Sequence, residues 1–203
     1  MADEPQAWQF EMSGEAARQE LSGYMARRGL SRDVMEHDKR LMGRVARGDE
    51  AAFTELVGRY GGRLLGVARR LLGSRADAED AVQRALLQCY LGAGTYRAEW
   101  AVSTWLYRIL TNVCVDELRR RTSRSGQLEP PVRPEAPGRY LDLHRAFGRV
   151  PTEARVLLAL RYVDGLSYGE LARIRGISIN TVKSQLARGK SLLRTALTKG
   201  GAS

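Results

Sequence analysis

The stretch that most constrains what this chain can fold into is SYGELARIRGISINTVKSQLARGKSLLR, from Ser167 to Arg194. Ser167 can cap a helix, and Glu170 stands three residues on, the spacing of a capping box. Leu171, Ala172 and Ile174 supply that helix with an apolar face. Gly176 breaks it, because glycine accepts the positive φ of a sharp turn. Ser178 then caps a second helix whose buried stripe is Ile179, Val182, Leu186 and Leu193. A small residue at Ala172, a glycine at 176 and a β-branched residue at Val182 have the spacing of a helix-turn-helix, a motif that lays its second helix in the DNA major groove.

The other face of that second helix carries Asn180, Thr181, Lys183, Ser184, Gln185, Arg188 and Lys190, with no acid among them. Amides and guanidinium groups pair with base edges, while lysines and hydroxyls suit phosphates. A merely solvated helix face ordinarily mixes both signs, and this one does not. Charge across the chain agrees. The 203 residues carry a formal net charge of +10, which favours a polyanionic partner. Residues 1–37 hold seven acids against four arginines, so this leader is −3 and the remainder +13.

Further along, the pattern is helical throughout, and the expectation is an all-α chain of two small helical domains joined by a flexible linker. Residues 1–37 read as a partly disordered extension, although Glu15 to Arg28 could be helical. From Asp38, Leu41 and Val45 make a short helix ended by Gly48. Asp49 caps a longer one, in which Phe53, Leu56, Tyr60, Leu64, Ala68 and Leu71 recur until Gly73. Ser74 and Asp77 have capping-box spacing and restart a helix with Ala78, Ala81, Val82, Ala85, Leu86 and Cys89 inside. Its opposite face opens with Asp77, Glu79, Asp80 and Gln83. The helix dipole accounts for acids in the first turn, less well for Asp80 and Gln83. A loop over 91–99 leads to a helix from Ser103 to Arg121, with Trp105, Ile109, Val113 and Leu118 as its stripe. Residues 122–138 hold four of the six prolines and read as a linker. Residues 139–203 form the second domain.

Cys89 and Cys114 sit in apolar helical contexts and read as buried thiols. With His37 and His144 they give no metal spacing, and no nucleophile or acid–base constellation is visible, so no catalysis, metal or cofactor is expected. No apolar run has the length to span a bilayer and no signal peptide pattern is seen, so the expected location is cytoplasmic.

Four stretches in order, GDEAAFTELVGRY, DAEDAVQRALL, STWLYRILTNVCVDELRRR and ALRYVDGLSYGELARIRGISINTVKSQLARGKSLLR, resemble those of extracytoplasmic-function (ECF) sigma factors, specificity subunits of bacterial RNA polymerase. The resemblance covers about residues 38–199. It implies that residues 38–121 bind the polymerase clamp, with Asp77, Asp80 and Gln83 facing the enzyme. The same unit is implied to recognise and melt the minus-ten element through Tyr96, Arg97, Asn112, Asp116, Arg119 and Arg120. The second unit would read the minus-thirty-five element through Ser178, Asn180, Thr181, Lys183, Ser184 and Arg188. The partners implied are core RNA polymerase, promoter DNA and an anti-sigma factor, with neither a small-molecule substrate nor membrane insertion. Two other readings stay open on the sequence: a free-standing helix-turn-helix regulator with an N-terminal sensor, and an adaptor that binds polymerase without reading promoters.

Overall fold

The structure, a computed structural model, describes residues 32–125 and 145–200. Every regular element among them is helical. In the first unit, α1 (Arg32–Val45) turns at Gly48, φ +86°, and folds back along α2 (Glu50–Leu72). The pairing is fixed by buried Asp38, whose carboxylate meets Arg59 at 2.9 Å and accepts from the Tyr60 hydroxyl. A buried charge needs such partners to offset its desolvation. Helix α1 begins six residues before the expected boundary at Asp38, and its Met35 is buried. The remainder of the expected extension, 1–31, lies outside the described residues.

Asp49 caps α2, its carboxylate accepting from the Ala52 N–H at 3.0 Å. Helix α3 (Arg75–Leu91) starts at Ser74, whose hydroxyl accepts from the Asp77 N–H at 3.3 Å. The expected capping box is only half made, because the Asp77 carboxylate turns to Arg121 at 2.6 Å instead. A short 3-10 turn, Ala93–Thr95, leads to α4 (Val102–Ser125). Helices α2, α3 and α4 pack on one another. Their core includes Leu64, Val67, Leu71, Ala78, Ala81, Ala85, Cys89, Leu110 and Cys114, all almost fully buried.

Helix α4 departs from its expected stripe. Leu106, Tyr107, Leu110, Val113, Cys114 and Val115 are buried, while Trp105, Ile109 and Leu118 are only half-buried. The helix has neighbours on several sides: α3 and α2 of its own unit, and the second unit beyond. It also continues to Ser125, past the expected linker start. The rest of the linker and the start of the next expected helix, residues 126–144, lie outside the described residues.

The second unit opens with a helical turn over residues 145–148, then α5 (Thr152–Val163), α6 (Tyr168–Arg175) and α7 (Ile179–Gly200). Arg155 is buried, and its guanidinium closes the opening turn by donating to the Gly148 carbonyl at 2.7 Å and the Val150 carbonyl at 3.0 Å. Gly189 lets α7 close on α5. A Cβ there would lie 3.0 Å from Leu158 Cδ1 and 3.1 Å from the Ala154 Cβ. The units also touch each other, α2 against α5 and α4 against α6.

Candidate nucleic-acid and polymerase interfaces

The helix-turn-helix forms as its punctuation requires. Ser167 and Glu170 make a reciprocal capping box, the Ser167 hydroxyl accepting from the Glu170 N–H at 3.2 Å and the Glu170 carboxylate accepting from the Ser167 N–H at 2.7 Å. Gly176 ends α6 in the left-handed region, φ 65° and ψ 37°. Ala172, Ile174, Val182 and Leu186 are buried where the helices cross. This buried seam leaves Asn180, Lys183 and Arg188 exposed on α7. The hydroxyls of the expected contact set have local work. Ser178 accepts from the Thr181 N–H at 3.0 Å as the N-cap of α7, and Ser184 donates to the Thr181 carbonyl at 3.0 Å. Lys190 lies over the Tyr162 ring, 5.5 Å from its centroid, on the side of α7 that faces α5.

The minus-ten set divides. Tyr96 is half-buried, its hydroxyl donating to the Trp100 carbonyl at 2.5 Å and its ring standing edge-on to Trp105 at 5.7 Å. Burial raises its pKa, so the phenol stays neutral. Arg97 is exposed beside it. On α4, Asn112 and Asp116 are exposed, as are Arg119 and Arg120. Their ion pairs are long, 4.0 Å from Arg119 to Asp116 and 3.6 Å from Arg120 to Glu117, and Arg120 also donates from Nε to the Asp116 carbonyl at 3.4 Å. Arg121, their sequence neighbour, has a different role: it holds Asp77 and donates to the Leu72 carbonyl at 3.1 Å, pinning α4 to α2 and α3. The cationic end of α4 is therefore two open arginines and one structural one.

Asn112 is also where the two units meet. The Arg175 guanidinium, at the end of α6, reaches its side-chain oxygen at 3.4 Å and pairs with Glu153 at 2.7 Å. Arg108, one turn before Asn112, is half-buried here. Burial, with the Arg175 charge next to it, lowers its pKa to about 10.

On α3 the acidic face is partly neutralised from within. Asp77 is held by Arg121, and Asp80 pairs with Arg84 at 2.9 Å. Gln83 is exposed, and beyond it Leu87 and Leu91 stand in solvent, 58% and 75% exposed. Those two leucines escaped the sequence reading, because their neighbours Leu86 and Cys89 supply the buried stripe. Spacing along the helix carries the signal: 83, 87 and 91 share one face. Leucines so exposed on a packed helix call for a partner surface. No group of His, Cys, Asp and Glu among the described residues could hold a metal, and no helix there is long and apolar enough to cross a membrane.

The arrangement defines a two-unit, helix-turn-helix protein with one cationic and one acidic-apolar interface. Comparison with known proteins carries this to a family. Residues 56–124 match sigma-70 region 2, and residues 140–193 match sigma-70 region 4. The ECF RNA polymerase sigma factor SigM of Mycobacterium tuberculosis is 33% identical over 86% of this chain and 92% of its own. The ECF RNA polymerase sigma factor SigW of Bacillus subtilis is 30% identical over 78% of this chain and 96% of its own. Among solved structures, the sigma factor RpoE of Bartonella quintana, in complex with the anti-sigma factor NepR, shares the fold with a TM-score of 0.62 at 24% identity, over 72% of this chain and 96% of that one. The chain belongs to the ECF sigma factors, which makes it a promoter-specific transcription initiation factor of bacterial RNA polymerase and not an enzyme.

Proposed function

We propose that region 2, residues 38–121, docks on the polymerase clamp through Asp80, Gln83, Leu87 and Leu91, with Asp77 as the strut that fixes the helix. Its α4 face and the loop before it take the minus-ten element. Arg97, Arg119 and Arg120 hold phosphates, Asn112 and Asp116 meet base edges, and the Tyr96–Trp105 pair walls the pocket for an unstacked base. Region 4, residues 139–203, reads the minus-thirty-five element with Asn180, Lys183 and Arg188. Ser178, Thr181 and Ser184 set the α7 terminus and offer their remaining hydrogen-bonding capacity to phosphates. The protein works in the cytoplasm, and the linker that follows α4 spans the enzyme between the two sites.

The observation that carries this reading is the contrast in surface: an acid-free face on α7, and an acidic face running into bare leucines on α3. Each unit alone offers a small basic surface that binds DNA weakly and with strong salt dependence. Held together by polymerase, the second contact becomes effectively intramolecular. An anti-sigma factor that covers the polymerase-facing surfaces is the regulator proposed, and the NepR complex of the Bartonella relative supports that class of partner. The test adds the purified chain to core polymerase on genomic DNA and maps transcript starts. New, shared start sites with common upstream elements are expected; starts unchanged from core enzyme alone would refute the proposal.

A further inference from the structure

A groove of about 460 Å³ runs between the two units, and the DNA and polymerase surfaces leave it unused. Its floor is apolar: Phe147, Leu158, Val163, Leu193 and Leu197, with the Tyr162 ring at its edge. Tyr162 is 63% exposed and Val163 39%, so the floor is open to a ligand. Its charged lining residues, Arg70 from α2 and Lys190 and Arg194 from α7, are all cations. The Lys190 ammonium rests on the Tyr162 ring, joining the charged rim to the aromatic floor. A groove of this kind fits an acidic segment with large apolar side chains.

The chain itself carries one. Residues 1–17, MADEPQAWQFEMSGEAA, hold Asp3, Glu4, Glu11 and Glu15 with no lysine or arginine, and interleave them with Trp8, Phe10 and Met12. Reach is ample. Helix α1 runs antiparallel to α2, with Asp38 opposite Arg59, so its first residue, Arg32, lies alongside the second half of α2, the half that ends at Arg70 on the groove rim. The fifteen residue-to-residue steps from Ala17 to Arg32 span up to about 50 Å, longer than the whole of α2 at about 35 Å. We propose that the acidic leader, residues 1–17, docks in this groove of its own chain, with Trp8 and Phe10 on the apolar floor and its carboxylates on Arg70, Lys190 and Arg194. Because α2 supplies one wall and α5 and α7 the others, the docked leader staples region 2 to region 4. The docking itself stands independently of the promoter contacts assigned above.

The test uses the full chain with a nitroxide label on Ser13→Cys. Cys89 and Cys114 are buried, so the label goes to the new thiol. Amide signals of residues 158–163 and 190–197 are expected to lose about threefold in intensity relative to the reduced label. Dilution should leave that loss unchanged, since a tethered segment acts at about millimolar effective concentration. Arg70→Glu with Arg194→Glu should restore the signals. Adding Asp3→Lys, Glu4→Lys and Glu11→Lys to that variant should bring the loss back. Full-strength groove signals in a chain with a native amide spectrum would overturn the proposal. So would a loss that grows with protein concentration, the mark of a second copy's leader, or a charge reversal without effect.

Discussion

The two helices assigned to DNA, α7 in region 4 and α4 in region 2, are of similar length and present very different faces. Helix α7 shows Asn180, Lys183 and Arg188 bare to solvent, because its buried side meets α5 and α6 and none of the described residues covers the other. Helix α4 is wrapped: α2 and α3 enclose it within region 2, and α6 of region 4 lies against Asn112 and Arg108. One interface is thus open before polymerase arrives, and the other is partly roofed by the unit that carries the first. On the contacts proposed above, a base meeting Asn112 would have to displace Arg175, whereas Asn180, Lys183 and Arg188 meet DNA with no such displacement.

The largest effect that would break this contrast lies at the open end of α4. Arg119→Ala with Arg120→Ala removes two exposed guanidinium groups that no close ion pair engages. A hydrogen bond to a charged group is worth about 1.5–3 kcal/mol, so losing two phosphate contacts should lower open-complex formation by about a hundredfold or more. Permanganate reactivity of thymines near the start site measures it. Core polymerase binding should be unchanged, since α3 is untouched. Unaffected melting would return the adaptor reading. On α7 the corresponding change, Arg188→Ala or Asn180→Ala, should cost about 1–3 kcal/mol at the promoter, because a bidentate base contact is worth that much. Transcription from promoters with altered minus-thirty-five elements would show whether discrimination, and not affinity alone, is lost.

How much of this could be read beforehand follows the same contrast. The turn of the helix-turn-helix was legible because it is made by local chemistry: Ser167, Glu170, Gly176 and Ser178 each satisfy backbone groups within four residues. The stripe of α4 was misread because side chains from separate stretches bury its other faces, and periodicity along one helix does not record how many neighbours it has. Asn112 and Arg175 are 63 positions apart, and only the folded chain brings them together. Gly189 was equally silent. A glycine inside a helix reads as a weak point, yet here it lies where α7 and α5 approach so closely that a Cβ would press on Leu158 and Ala154 at 3.0 and 3.1 Å. Gly189→Ala should therefore destabilise region 4 by about 1–3 kcal/mol, the usual cost of overpacking a core, despite the better helix propensity of alanine. Urea unfolding followed by circular dichroism measures it.

A smaller effect tests the roof over α4. Arg175→Ala removes the guanidinium that bridges Asn112 and Glu153. Pairs of this kind, one partner half-exposed, contribute about 0–1 kcal/mol, so the free chain should bind a single-stranded minus-ten oligonucleotide up to about fivefold more tightly. Fluorescence anisotropy without polymerase reads the change. Binding of a minus-thirty-five duplex should stay as it was, and a gain on both DNAs would mean the contact does not separate the two interfaces.

The smallest expected effect lies in the core of region 2, which holds both cysteines while region 4 has none. Burial pushes the Cys89 and Cys114 thiols up to about 12, so at pH 8 the thiolate, the reactive form, is about one part in ten thousand of each. A thiol reagent added to the native chain should therefore react only as fast as region 2 opens, and peroxide should leave promoter activity unchanged. The pH dependence has one sign. A thiol held protonated in the fold contributes stability that is intact below its ordinary pKa near 9 and is lost as pH rises toward 12. Region 2 should weaken over that alkaline window through these groups, and their labelling should quicken with it. Rapid labelling at pH 7 in a chain with native circular dichroism would show that region 2 opens far more readily than its packed core implies.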